Sequence, residues 1–504
     1  MGSLAKDSSV LIIGGGTWGC STALHLARRG YKNVTVLEAH PIPSPISAGN
    51  DVNKIMEEGE PSESDTEEQY VWNRMHQITT KYWKEDEVFK SYYHPTGIIF
   101  SAVSDDVYEH VKGYTKGTES EWITLNSPED FKKTMPEGVL QGDFPGWRGF
   151  WKDHGAGWVF ARGAMVSAYE EALRLGVTFI TGDSAGRVTS LLYSDSKDTI
   201  TGAQTADGAS HHSDQTILCA GANGDLLFDF EQQLRPTAWT LAHIPLSIEE
   251  AAIFKNLPVL YNPERGFFVE PDAEKRELKF CDEHPGYINM VKTATPGYTE
   301  GTTHSQPFAR HQIPVESETR MRKFLQEAMP QIADRDFSFA RICWDADTVD
   351  RQFLIDRPKG KSGLVVAAGG SGMGFMMMPV VGQLIVDRME GVIEERLQKG
   401  LRWRPEQAVG RDWQASKFLL TVCTIRKTLL TMILQSKIDT VVRERLWTST
   451  TSKDGQAERA IKYLTSSLPK IRRHATPCEQ LSSKRLDCCI PSISLQHIQC
   501  NHLD

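Results

Sequence analysis

Three stretches of the chain pass from an unbroken apolar run into a glycine-rich turn. They are "SSVLIIGGG" around Val10–Ile13, "QTILCAGANGD" at 215–225 and "GLVVAAGGSGMGF" at 363–375. A short run that is apolar at every position predicts a strand buried on both faces, as in a parallel sheet. After the first run, helical spacing predicts a helix from Thr17 to about Arg29, with Gly30 as its stop. "VTVLE" then predicts a second strand ending at Glu38. Elsewhere the period is two. "RELKFCDEHPG" alternates, with Lys279, Cys281 and Glu283 on one face and Leu278 and Phe280 on the other. "RGFFVEP" reads as a strand and "ESETRMRKFLQEAMP" as a helix. No internal repeat interrupts this order.

The first turn carries chemistry. Gly14-Gly15-Gly16-Thr17-Trp18-Gly19 is a G-x-G-x-x-G run between a strand and a helix, and Glu38 follows at the end of the next strand. Gly14 permits the tight turn, Gly16 lets the backbone approach a pyrophosphate, and Gly19 lets helix and strand pack closely. The helix N-terminus offers free N–H groups to phosphates, and Glu38 can accept from ribose hydroxyls. This segment alone leaves FAD and NAD(P) both open. Three glycine-rich strand ends far apart in sequence suggest one long cofactor held along its length, which suits FAD and a discontinuous FAD-binding domain.

The boundaries expected for that domain are 1–64, 151–235 and 336–413. Residues 65–150, rich in Glu, Lys and aromatics, and 236–335 form an inserted substrate domain over the flavin. No run of about 18 apolar residues is present, so no membrane span is expected. The N-terminus leads straight into a strand, which predicts an intracellular protein with reduced cysteines. The net charge of -9 argues against a nucleic-acid partner, and no metal site is expected. Composition changes at Gln414. Residues 414–504 hold 14 Lys and Arg against 7 Asp and Glu, five of the nine Cys and one of the 40 Gly. A basic, Gly-poor extension of uncertain structure is expected there.

Cys343 stands alone in "FARICWDADTVD". A lone Cys in an apolar run is usually a small buried hydrophobe. A resemblance changes that reading. "GTWGCSTALHLARRGY", "SAGNDVNK", "PEGVLQGDFPGWRG", "LRPTAWTLAHI", "ERGFFVEPD", "CDEHPGYINM" and "FSFARICWDADT" resemble the fungal fructosyl amino acid oxidases (amadoriases), in the group of monomeric sarcosine oxidase. The likeness runs from about residue 8 to 413. It implies an α/β fold, a Rossmann-type FAD-binding domain of the glutathione reductase or D-amino-acid oxidase kind, with an inserted α+β substrate domain. It implies FAD held covalently on Cys343 through an 8α-S-cysteinyl thioether, with Arg341 near enough to lower the thiol pKa. The implied reaction is oxidation of the C–N bond of a fructosyl amino acid by O2, giving glucosone, the free amino acid and H2O2. The protein is expected to be a monomer acting on a small molecule.

By the same resemblance Lys279 assists O2, since a cation beside developing superoxide stabilises it. Glu283 binds the substrate's polar or amine end, Lys54 lies near the flavin, and His284 is a structural hydrogen bonder. Along the cofactor the expected residues are Gly14, Gly16, Thr17, Trp18, Gly19, Glu38, Ser47, Asn50, Asp51, Lys54, Val188, Cys343, Asp345, Gly372, Gly374, Phe375 and Met376.

Two departures from the family pattern bear on substrate. Members commonly carry Lys after "SGxGF", where it pairs with a substrate carboxylate; here Met376 stands there, and a thioether cannot make that pair. After Trp413 the family continues with a carboxylate-binding arginine and often ends in a peroxisomal Ser-Lys-Leu. This chain runs on as "QASKFLLTVCTIRKTLL" and ends "NHLD", as a changed reading frame or retained intron produces, and Arg426 has no motif to place it. The expected compartment is therefore cytoplasmic or peroxisomal. Three other readings stay open: an oxidase of another secondary amine such as an N-methyl amino acid or a saccharopine-like compound, a catalytically silent flavin-binding protein, and an NAD(P)-dependent dehydrogenase.

Overall fold

The structure, a computed structural model, describes residues 4–292 and 303–408. The extension from Gln414, including Arg426, lies outside them, as do the side chains of His284 and Pro285.

The three apolar runs become neighbouring strands. A six-stranded sheet has the order Leu354–Asp356, Leu364–Ala368, Gln215–Leu218, Ser9–Ile13, Asn33–Glu38 and Thr178–Thr181. All are parallel except Leu354–Asp356, which pairs antiparallel at one edge. Both faces are covered, which is why the strands are apolar throughout. Val10 and Ile12 point into one apolar cluster, shared with the helices Thr17–Arg28, Ala161–Arg174 and Met378–Glu390. Leu11 and Ile13 point into another. That second cluster is closed by Leu191, Ile200 and Ala203, which belong to the small sheet of Val188–Tyr193, Ile200–Thr205 and Ser210–His212.

A parallel arrangement puts every carboxyl end on the same edge. The turns after Ile13, Leu218 and Ala368 therefore meet there, with Glu38 beside them.

The second sheet has eight strands, in the order Phe339–Thr348, Leu234–Pro245, Glu277–Tyr287, Gly266–Val269, Val259–Asn262, Ile98–Ala102, Arg148–Lys152 and Ile123–Leu125. One face packs on the helix Val315–Ala328. Leu278, Phe280, Phe268 and Ile244 from the sheet and Met321, Phe324 and Leu325 from the helix are buried together. The opposite face of Glu277–Tyr287 carries Lys279, Cys281 and Glu283, which is the alternation read from the sequence.

The chain crosses between the sheets more than once. Within 65–150, the helix Glu67–Glu85 buries Val71, Met75 and Trp83 in the parallel sheet's core beside Met378–Glu390. Within 336–413, the strand Phe339–Thr348 pairs with Leu234–Pro245 in the large sheet. Among the described residues, no helix is long and apolar enough to cross a membrane.

Two helices approach closely at Gly382. Ser21 Oγ donates to Met378 O at 2.5 Å and accepts from Gly382 N at 3.1 Å. A Cβ on Gly382 would overlap the Ser21 backbone. Gly382→Ala is therefore expected to destabilise the fold by about 1–3 kcal/mol through overpacking. Urea titration would read this as a lower midpoint at unchanged slope.

Candidate functional site

A cavity of about 1110 Å³ runs from the parallel sheet's carboxyl edge to the polar face of the large sheet. At the first end it is lined by Gly14, Gly16, Thr17, Trp18 and Glu38, and by Val188 from the small sheet. Gly14 sits at φ +101°, and a Cβ there would overlap the Cys219 carbonyl of the neighbouring strand end. Gly16 caps the helix Thr17–Arg28 with no side chain over its N–H groups, and its own Cα faces open space. Glu38 accepts from Gly15 N at 2.8 Å and His40 N at 3.0 Å. Burial raises its carboxyl pKa, and those backbone donors oppose the shift. Gly19 does not line the cavity: a Cβ there would overlap the Gly14 carbonyl, so its part is to let helix and turn approach.

The late glycine turn closes over the first. Trp18 Nε1 donates to Gly374 O at 3.0 Å. Trp83 Nε1 and Thr79 Oγ1 hold Met376 O at 2.8 and 3.2 Å. Asp345 accepts from the backbone N–H groups of Gly372 and Ala346. Burial first, and then the nearby Asp347 charge, push its carboxyl pKa up. Asp345, Gly372, Gly374, Phe375 and Met376 all line the cavity, as do Ser47, Lys54, Glu283 and Cys343.

The far wall is one cross-strand row. Phe100 lies opposite Tyr261, Tyr261 opposite Phe267, Phe267 opposite Cys281, Cys281 opposite Leu241, and Leu241 opposite Arg341. Six strands thus present six side chains to one cavity. Cys343 and Trp239 form the next pair along the two outermost of these strands. Cys343 is buried and, like every other cysteine of the described residues, forms no disulfide. Tyr261 Oη donates to Glu283 Oε2 at 3.4 Å.

Beside this row, on the same face of the sheet, lies a charge cluster. Asp51 Oδ2 accepts from Lys54 Nζ and from Lys279 Nζ, each at 2.7 Å, and Lys279 also donates to Asn53 O at 2.9 Å. Burial alone would raise the Asp51 carboxyl. The charges of Lys279, Lys54 and Arg341 outweigh it and hold the group far below the usual carboxylate range. The two lysines differ in exposure. Lys54 is 24% exposed and lines the cavity, whereas Lys279 is 1% exposed and does not. Burial works to lower the Lys54 pKa, and Asp51 and then Cys343 more than restore it. Lys54 thus sits within electrostatic reach of the Cys343 sulfur. Asn50 also stands back from the cavity. Its side chain holds Arg162 Nε at 2.9 Å, and its carbonyl accepts from Arg341 Nη2 at 2.9 Å.

Several lining residues carried no sequence signal. Glu57, Tyr114, Tyr261 and Arg351 sit in no quoted motif, and they meet only through sheet pairing and loops. Arg351 adopts φ +63° and donates to Ser371 O, beneath the late glycine turn. Its place between "CWDADT" and that turn was a usable hint. Among the described residues, no group of His, Cys, Asp and Glu is arranged to hold a metal.

The pattern of the FAD dependent oxidoreductase (DAO) family matches residues 9–388. The chain is similar to fructosyl amine:oxygen oxidoreductase (Amadoriase I) from Aspergillus fumigatus, at 52% identity over 82% of this chain and 93% of that one, with TM-score 0.79. It is also similar to fructosamine oxidase (Amadoriase II) from Aspergillus fumigatus in complex with FSA, at 50% identity over 82% and 93%, with TM-score 0.77. L-saccharopine oxidase of Schizosaccharomyces pombe is 27% identical over 82% of this chain and 97% of that protein.

Asp51→Asn should leave Lys279 as an uncompensated buried cation, at a cost of about 3–5 kcal/mol at neutral pH. A carboxyl held below its unfolded pKa contributes stability that is fully present above about pH 4 and is lost as pH falls further toward the folded value. The stability gap between parent and variant, read from denaturant midpoints, should therefore shrink below about pH 4. A gap constant down to pH 2 would contradict this account.

Proposed function

The chain belongs to the DAO family of FAD-dependent oxidoreductases, and on that premise we propose that it oxidises the C–N bond of fructosyl amino acids with O2 as acceptor. The observation that carries this reading is the 52% identity to a fructosyl amine:oxygen oxidoreductase across 82% of the chain. The cavity supports it, with a dinucleotide-type glycine turn at one end and an aromatic and carboxylate wall at the other.

The residues fit FAD. Gly16 leaves open space where a pyrophosphate approaches, and Arg341 Nε is buried with no partner among the described residues. Gly14, Gly16 and the following helix N-terminus would hold the diphosphate, Glu38 a ribose, and the Gly370–Gly374 turn the ring end. When bound, FAD supplies the two-electron acceptor for amine oxidation and passes those electrons to O2.

The chain's own residues have the remaining work. The row Phe100, Tyr261 and Phe267 excludes water from the substrate. Glu283, oriented by the Tyr261 hydroxyl, accepts a hydrogen bond from a sugar hydroxyl or the amine. Lys54, held by Asp51 and facing the cavity, stabilises negative charge developing on O2. Lys279 acts through Asp51, as the second cation that keeps this carboxylate ionised. Cys343 is the proposed covalent attachment point, buried in the cavity wall within electrostatic reach of Lys54.

A second reading, oxidation of a saccharopine-like amine, is favoured by the match across 97% of L-saccharopine oxidase. Peroxide release separates the two: fructosyl amino acids should be turned over and saccharopine should not. For the tether, acid-denatured protein should keep flavin colour in the pellet, and Cys343→Ser should release it to the supernatant. Release from both would remove Cys343 as the anchor and leave the amine chemistry standing.

A further inference from the structure

One carboxylate in the cavity has no part in the chemistry above. Glu57 ends the strand Lys54–Glu57 and lines the cavity, yet nothing among the described residues donates to its side chain. Its backbone is fixed on both sides. Glu57 N points at Met376 Sδ at 3.5 Å, and Glu57 O is held by His76 Nδ1 at 2.8 Å. The Glu57 N–H is thus turned to a neutral thioether, and the carboxylate accepts no hydrogen bond among the described residues.

Its neighbours make this end of the cavity anionic. Burial raises the pKa of the Tyr114 phenol, and the charges of Glu57 and Glu283 raise it further. Tyr261 is raised in the same way, by burial first and then by Glu283, Tyr114 and Glu57. Arg351 is the opposing cation at both phenols, and it acts last. Lys54, three residues before Glu57, is drawn to Asp51, which it shares with Lys279. Tyr114 is 38% exposed, so this group stands where a substrate's outer end would lie.

We propose that Glu57 is a specificity residue that selects fructosyl amines whose far end carries an ammonium group. The inference rests on the function proposed above and refines its substrate class. A half-buried carboxylate with no donor among the described residues is poorly solvated, and an arriving ammonium relieves that cost. In keeping with this, burial pushes the Glu57 carboxyl up to about 7, so ionisation is completed by the cation that binds.

The test uses the full chain and three substrates that differ only at the tip: the mono-fructosyl derivatives of 1,5-diaminopentane, pentylamine and 6-aminohexanoate. Peroxide release gives kcat/KM for each. The parent should prefer the ammonium tip over the methyl tip by about tenfold, as a partly buried charge pair allows, and should use the carboxylate tip least. Glu57→Gln should abolish the ammonium preference while leaving kcat/KM for the methyl-tipped substrate near the parent value. Equal use of the three tips by the parent, or preference for the carboxylate, overturns the inference without any variant. A uniform fall across all three in Glu57→Gln overturns it too, because a structural role moves every substrate alike. No peroxide from the three while a fructosyl amino acid is turned over overturns the inference alone; no peroxide from that amino acid either sinks the proposed function, and this inference with it.

Discussion

Lys279 leaves the large sheet fully buried, and an ammonium in that position requires an anion in contact. Asp51 is that anion, and its loop is thereby fixed to the large sheet. The same carboxylate orients Lys54 toward the cavity, while Arg341, two residues before Cys343, grips Pro45 O and Asn50 O of the same loop. One buried carboxylate and one buried guanidinium thus set how the loop from Ser44 to Lys54 lies against Cys343. Each charge is costly alone, and the contacts between them hold the loop to the sheet.

That arrangement divides labour between two sheets. The parallel sheet brings its glycine turns to one edge, because parallel strands end on the same side. The large sheet supplies a flat wall of alternate side chains, because a pleated strand turns every second residue to the same face. A long cofactor requires both, since it must be held at its phosphates and at its ring. The chain meets the requirement by threading segments of each sheet through the other's sequence, as the pairing of Phe339–Thr348 with Leu234–Pro245 shows.

Charge inside the cavity is sorted rather than averaged. Cations gather where the loop meets Cys343, with Lys54 and Arg341 facing in. Carboxylates gather at Glu57 and Glu283 beside two phenols. Partial burial weakens solvent screening, so such a separation is felt across the cavity.

Much of this was legible in the chain. The apolar runs, the glycine turns and Glu38 fixed the parallel sheet and its ligand edge, because burial on both faces leaves only an unbroken apolar pattern. The alternation through Lys279, Cys281 and Glu283 fixed which face of that strand was apolar. Sequence order could not say that Lys279 is fully buried while Lys54 lines the cavity, since both are lysines at strand positions and only packing separates them. Nor could it find the row from Phe100 to Arg341, whose members are joined by pairing across as many as 161 residues, from Phe100 to Tyr261. Local pattern decides which elements form and which face each buries. Which side chains then meet is decided by sheet register and charge pairing, and those exist only once the chain has folded.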